Sequence, residues 1–188
     1  MIKNIKTEKF FIWLGLIIFI SSISYWWGIL FNDIYCSGSK TFFLQNRFDD
    51  IKNTLWAAVN EEFIWRLIPL VIISFILSSM KYESTKKKKY ISCSIAFIIV
   101  LLIQVKFGIA HYSIIYETED WMLKHIVMQG SMGLFYALAY NITQYYLKKE
   151  LKIHPVYCHI TGFLSSVIIH TTVNTLLIIR LTFWKFAF

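Results

Sequence analysis

Five apolar runs leave this chain few folds to choose from, because each is close to or above the ~20 residues that a helix needs to cross the hydrocarbon of a bilayer. They are Phe10 to Phe31, Thr54 to Ser79, Ile91 to Tyr112, Trp121 to Leu147 and Val156 to about Thr182. Hydrocarbon offers no partner to a backbone N–H or C=O, so segments of this kind must be helices. The expected fold class is all-α: a polytopic membrane helix bundle of about five transmembrane helices, forming a single integral-membrane domain over residues 1–188. Between the first two runs, residues 32–53 mix Phe42, Phe43, Leu44, Phe48 and Ile51 with Lys40, Arg47, Asp49, Asp50 and Lys52. That mixture predicts an amphipathic helix lying in the membrane interface.

Composition agrees with the runs. The chain is 57% hydrophobic and 18% aromatic, and Trp26, Trp27, Trp56, Tyr90, Trp121, Tyr145 and Tyr146 crowd the ends of the runs, where amphipathic rings anchor at the head-group level. The apolar run beginning at Phe10 is too long for the core of a secretion signal, so it is read as a membrane helix. Cys36, Cys93 and Cys158 show neither paired spacing nor a Cys-x-x-Cys motif, which argues against a disulfide framework or a zinc knuckle.

The net charge of +8 raises nucleic acid as a partner, yet the basic residues sit in short loops rather than on one soluble face. Alternating the loops puts Lys3, Lys6, Lys9, Lys81, Lys86 to Lys89, Lys148, Lys149 and Lys152 on one side, and Asp33, Asp49, Asp50, Glu117, Glu119 and Asp120 on the other. The positive-inside rule then predicts a multi-pass plasma-membrane protein with its N-terminus in the cytoplasm and its C-terminus outside. Membrane lipid is an expected partner and nucleic acid is not.

Polar residues inside such runs are costly, about 2.5–3.5 kcal/mol for a charge at the centre of a helix on insertion scales, and so mark function or pairing. Three spacings stand out: Glu61-Glu62-x-x-x-Arg66, Phe107-x-x-x-His111 and His170-x-x-x-Asn174. On the predicted topology all three lie in the outer half of the membrane, on three different helices, which points to one shared site. In an α-helix, residues four apart share a face. Glu62 is therefore expected to pair with Arg66 as a supporting ion pair, while Glu61, pointing elsewhere, is the expected general base. His170 and Asn174 offer an imidazole and a carboxamide to a developing oxyanion, and His111 would orient the water that Glu61 deprotonates. A base, a water-orienting group and an oxyanion cradle suffice to hydrolyse a peptide bond without a covalent intermediate.

These motifs, in this order on successive apolar helices, resemble those of the intramembrane CAAX-protease and bacteriocin-processing family, also called the Abi or CPBP family. Glu61-Glu62-Phe63-Ile64-Trp65-Arg66 is similar to its first motif, Phe107 to His111 to its second and His170-Thr171-Thr172-Val173-Asn174 to its third. The similarity runs from about residue 54 to 177. It implies an endopeptidase acting on a membrane-associated peptide or protein, with Glu61, His111, His170 and Asn174 catalytic and Glu62, Arg66 and Phe107 supporting. The chain departs from the eukaryotic CAAX proteases in having five spans where those have about eight, and in its outer-half site. A prenylated substrate delivered from the cytosol fits that site poorly. The resemblance implies instead a small prokaryotic member working in peptide or bacteriocin maturation or immunity.

Three alternatives compete with this reading, the weakest being a proton or ion transporter with Gln104, Lys106 and His111 along the third helix, for which no broken-helix pair or repeat is visible. Because the family is often labelled metallo-, Glu61, His111 and His170 form a candidate zinc set, although each comes from a separate helix rather than from one His-Glu-x-x-His turn. No cofactor is the favoured reading. A non-catalytic peptide-binding or bacteriocin-immunity protein could also use a polar cavity, but binding alone does not require Glu61, both histidines and Asn174 together. His125, His154 and His159 fall outside the motifs and are expected at the interfaces.

Overall fold

The computed structural model describes the backbone of residues 2–35, 47–79, 86–115 and 120–184, and the side chains of residues 7–30, 53–77, 90–110 and 126–180. Apart from the turn at residues 150–154, every described residue is helical. The elements are α1 (Ile2–Tyr35), α2 (Arg47–Glu62), a five-residue π-helix (Phe63–Leu67), α3 (Ile68–Ser79), α4 (Lys86–Ile115), α5 (Asp120–Lys149) and α6 (Pro155–Trp184).

Among the described residues, three helices are long and apolar enough to cross a membrane, over Thr7–Leu30, Tyr90–Ala110 and Pro155–Arg180. The other two apolar runs are helical but diluted. The run from Thr54 is divided into α2, the π-turn and a twelve-residue α3, and it carries Glu61, Glu62 and Arg66. Helix α5 carries Gln129, Asn141, Thr143 and Gln144 along its length. Of the segment expected to form an interfacial helix, residues 36–46 lie outside the described residues. Residues 47–53 form the first turns of α2, in line with the run that follows.

The π-helix has a local cause in Pro69. A proline ring clashes with the carbonyl four residues earlier, here Trp65, and has no N–H to return to it. A single wide turn ahead of the proline accommodates both defects, and such turns recur at functional positions.

The chain divides into two compact units. The first comprises residues 1–62 and 135–188, and in it α1 and α2 both pack against α6. Helix α1 is fastened to α5 and α6 by Trp13, whose ring stacks on Tyr146 at 5.7 Å and whose Nε1–H donates to Thr143 Oγ1 at 3.1 Å. Thr143 donates in turn to Ser165 Oγ at 3.2 Å. Below that level Lys9 pairs with Glu150. Gly162 lets α5 and α6 close together: a Cβ there would lie 3.0 Å from the Tyr140 carbonyl oxygen, a contact only a small residue permits.

The second unit, residues 63–134, holds the π-helix, α3, α4 and the first half of α5. The π-helix and α3 pack on α4. Gly130 again marks close approach, its notional Cβ lying 3.0 Å from the Gln104 carbonyl oxygen.

Candidate functional site

Glu61 and Glu62 end α2, and His170 lies midway along α6, so the packing of α2 on α6 in the first unit brings the three together. Glu62 is fully buried, with its Oε1 2.8 Å from His170 Nδ1. Glu61 is about a quarter exposed, and its Oε2 lies 3.7 Å from His170 Nε2. One imidazole thus has a carboxylate at each nitrogen. An ionised carboxylate only accepts hydrogen bonds, so with Glu62 ionised the short contact has Nδ1–H donating to it. Burial strengthens that bond, because low local dielectric leaves it little competition from water.

Tyr136 closes the third side. It comes from α5, is 1% exposed, and its ring lies nearly parallel to that of His170, 4.4 Å between centroids at 18°. Asn174 follows one turn after His170 on α6 and is half-buried. Of the residues expected to act together, the first unit therefore assembles Glu61, Glu62 and His170, with Asn174 on the same helix as the imidazole.

Arg66 and Phe107 meet in the second unit. Both are fully buried. Arg66 Nη2 donates to Gln104 Oε1 at 3.3 Å, and its guanidinium carbon sits 4.1 Å from the centre of the Phe107 ring. The ring face is electron-rich and attracts the cation, and Trp65 packs edge-on to the same ring at 6.0 Å. Gly133 of α5 lies against both Gln104 Oε1 and Arg66 Nη2, where any side chain would intrude. Arg66 and Phe107 are thus a packed cationic pair rather than two separate supports. Position 111 belongs to α4, and the side chains of His111 and His125 lie outside the described residues.

Sequence reasoning missed Tyr136, and it did not join Gln104 to Arg66. Both carried a usable signal. Gln104 interrupts the apolar run of α4 one turn before Phe107, and Tyr136, Tyr140 and Gln144 recur every fourth residue on α5, a polar stripe inside an apolar helix.

Glu61 Oε2 and His170 Nε2 are two donors on one side of the site, whereas a catalytic zinc takes three protein ligands. Among the described residues, no group of three or more His, Cys, Asp or Glu side chains is placed to hold a metal ion. The described donor set therefore stops short of a zinc site.

No protein-family model, no curated protein and no solved structure matches this chain.

Proposed function

We propose that this protein is an intramembrane endopeptidase that uses a glutamate-activated water on a membrane-associated peptide. The reading rests on one observation above all: two adjacent carboxylates flank the two nitrogens of a single buried imidazole. Such a grouping is costly to hide in an apolar bundle unless it does chemistry. Glu61, the more open of the two acids, takes a proton from water as the water oxygen bonds to the scissile carbonyl carbon. The C–N bond then breaks as that proton passes to the departing nitrogen. Asn174, one turn from His170, supplies an amide N–H for the oxyanion, and His111 is assigned to the water by the motif resemblance. Maturation of a secreted peptide or bacteriocin, or immunity to one, is the pathway class this implies.

The test is a comparison of newly formed peptide termini, by mass spectrometry, in cells expressing the wild-type chain or Glu61→Gln. Membrane-protein fragments present only with the wild type support the reading. Unchanged termini, or a cellular phenotype that survives Glu61→Gln, would favour a peptide-binding or immunity protein. Stoichiometric zinc in purified protein, with cleavage stopped by a chelator, would replace the metal-free mechanism.

The same proposal includes five membrane crossings, with the N-terminus inside and the site in the outer half. A cysteine placed at Glu119 should react with an impermeant thiol reagent on intact cells while one at Ser84 should not. The reverse labelling overturns that orientation.

A further inference from the structure

We infer that Glu62 and Tyr136 are positioning residues that hold His170 as its Nδ1–H tautomer, with the Nε2 lone pair turned towards Glu61. This rests on the hydrolytic reading of the same site and changes what His170 does in it.

The geometry supplies each step. A neutral imidazole carries one hydrogen on its two nitrogens, and an ionised carboxylate has none to give. At 2.8 Å the Glu62 contact is a hydrogen bond, so with Glu62 ionised Nδ1 bears the hydrogen. Nε2 is then left as an acceptor. It faces Glu61 Oε2 across 3.7 Å, a gap too long for a direct hydrogen bond. Two acceptors at that separation can hold one water molecule, which donates one O–H to each and keeps a lone pair for attack.

His170 so held is a water-orienting residue, not the oxyanion donor that the motif resemblance implies. Donation to the oxyanion falls to Asn174. The arrangement has the form of the carboxylate–histidine pairs that fix an imidazole's tautomer and direction in other polar sites.

Tyr136 acts on a different freedom of the same ring. A hydrogen bond at Nδ1 chooses which edge of the imidazole faces Glu62, but it leaves the plane free to tilt about that bond. The Tyr136 ring, parallel within 18° and buried, removes the tilt. His170 itself is only 4% exposed, so water does not compete for either contact. Neither Glu62 nor Tyr136 touches the water or the peptide in this scheme. Both act through His170.

The experiment uses the full-length protein, labelled with 15N-histidine and held in lipid nanodiscs. Its His170 signals are assigned by their loss in His170→Asn. At neutral pH the wild type should show a protonated-type Nδ1 and an unprotonated-type Nε2. Glu62→Gln keeps an acceptor oxygen and should keep that pattern, whereas Glu62→Leu should release it to the Nε2–H form. Tyr136→Phe preserves the stacked ring and should leave the signals sharp; Tyr136→Leu should broaden or split them. An Nε2–H or doubly protonated His170 in the wild type overturns the inference. So does a wild-type pattern that persists in Glu62→Leu.

Cleavage gives the second arm, in the terminus-mapping assay. Misplacing the imidazole by about an ångström should lower turnover about 10²-fold in Glu62→Leu and Tyr136→Leu, with Glu62→Gln and Tyr136→Phe restoring most of it. The magnetic-resonance arm needs no substrate, so the two ideas fail separately. The expected tautomer without any cleavage sinks the protease reading alone, and cleavage without that tautomer sinks the clamp alone.

Discussion

Two histidines on α6, His159 and His170, stand eleven residues apart, about 16 Å along the helix, and their surroundings have little in common. His170 has a carboxylate at each nitrogen and a tyrosine ring on its face. Among the described residues, the hydrogen-bond partners of His159 are neutral: Tyr140 Oη lies 2.6 Å from its Nδ1, and Gln144 Nε2 lies 2.8 and 2.9 Å from its two nitrogens. Hydroxyl and amide groups satisfy an imidazole without offering it a base or an acid of comparable strength. They make a structural contact between α5 and α6. Carboxylates on both sides give the imidazole two charged-type acceptors instead of neutral ones. The same residue type on one helix is therefore met by neutral hydrogen-bond partners at one end and by carboxylates at the other; on the proposed reading the first is a fastening and the second a reactive group.

The largest effect that can break this comparison is chemical. Glu61→Gln keeps the size and the hydrogen-bonding oxygen but removes the base, and should lower cleavage by about 10²–10⁴-fold, the range general-base catalysis supplies. The helical content and unfolding temperature of the purified protein should stay close to wild type, because Glu61 is the more open of the two acids. A variant that cleaves normally would reduce the His170 end to a second fastening.

Next comes Gly162, which lies on α6 between the two histidines and lets α5 come close. Gly162→Leu drives a side chain into the Tyr140 carbonyl and ring, and overpacking of this kind costs about 1–3 kcal/mol. Thermal unfolding in detergent micelles should show the loss, and cleavage should fall with it, since Tyr136 and His170 straddle the same seam. A tolerated leucine would mean that the seam is looser than its contacts imply.

How much of this the sequence could disclose follows from the reach of each rule. The helical class was legible because hydrocarbon-length apolar runs admit no other backbone. Glu61, Glu62 and His170 were legible as a set because charged groups in such runs are conspicuous. The contact of Glu62 with His170 was not, for a physical reason. No spacing rule reaches His170, 108 residues further on, which meets the carboxylate by tertiary packing. Tyr136 escaped notice because tyrosine is ordinary at membrane interfaces, and nothing local distinguishes an anchoring ring from one stacked on an imidazole. Among the described residues, three of the five apolar runs are long and apolar enough on their own to cross a membrane. The other two are diluted by the polar residues that build the seam and the acid pair.

A smaller effect sharpens the contrast from the His159 end. Tyr140→Phe removes the hydroxyl beside His159 and leaves the ring in place, and the loss of one such hydrogen bond is worth about 1 kcal/mol. Unfolding should move by that amount while cleavage stays at the wild-type rate. If cleavage fell as far as it does for Glu61→Gln, the two ends would be one functional unit and the division drawn here would fail.

The smallest effect concerns how α1 is held at that same end. Glu150, in the turn after α5, is hydrogen-bonded to Lys9 of α1, and this bond holds the Glu150 carboxyl below the usual carboxylate range. A carboxyl whose pKa is lower in the folded state contributes stability that is present above its unfolded value, about 4.3. That contribution is lost as the pH falls through the lower folded value. Acidification from neutral pH into that window should therefore loosen α1 at the His159 end. Hydrogen exchange read on peptides covering the start of α1 should rise there before it rises around His170. Glu150→Gln lacks the contribution at every pH, so its exchange should already be faster at neutral pH and should meet the wild-type curve in acid. The difference is small, because both side chains remain partly open to water and exposed ion pairs are well screened. Equal acid sensitivity in wild type and Glu150→Gln would show that some other carboxylate governs the docking of α1.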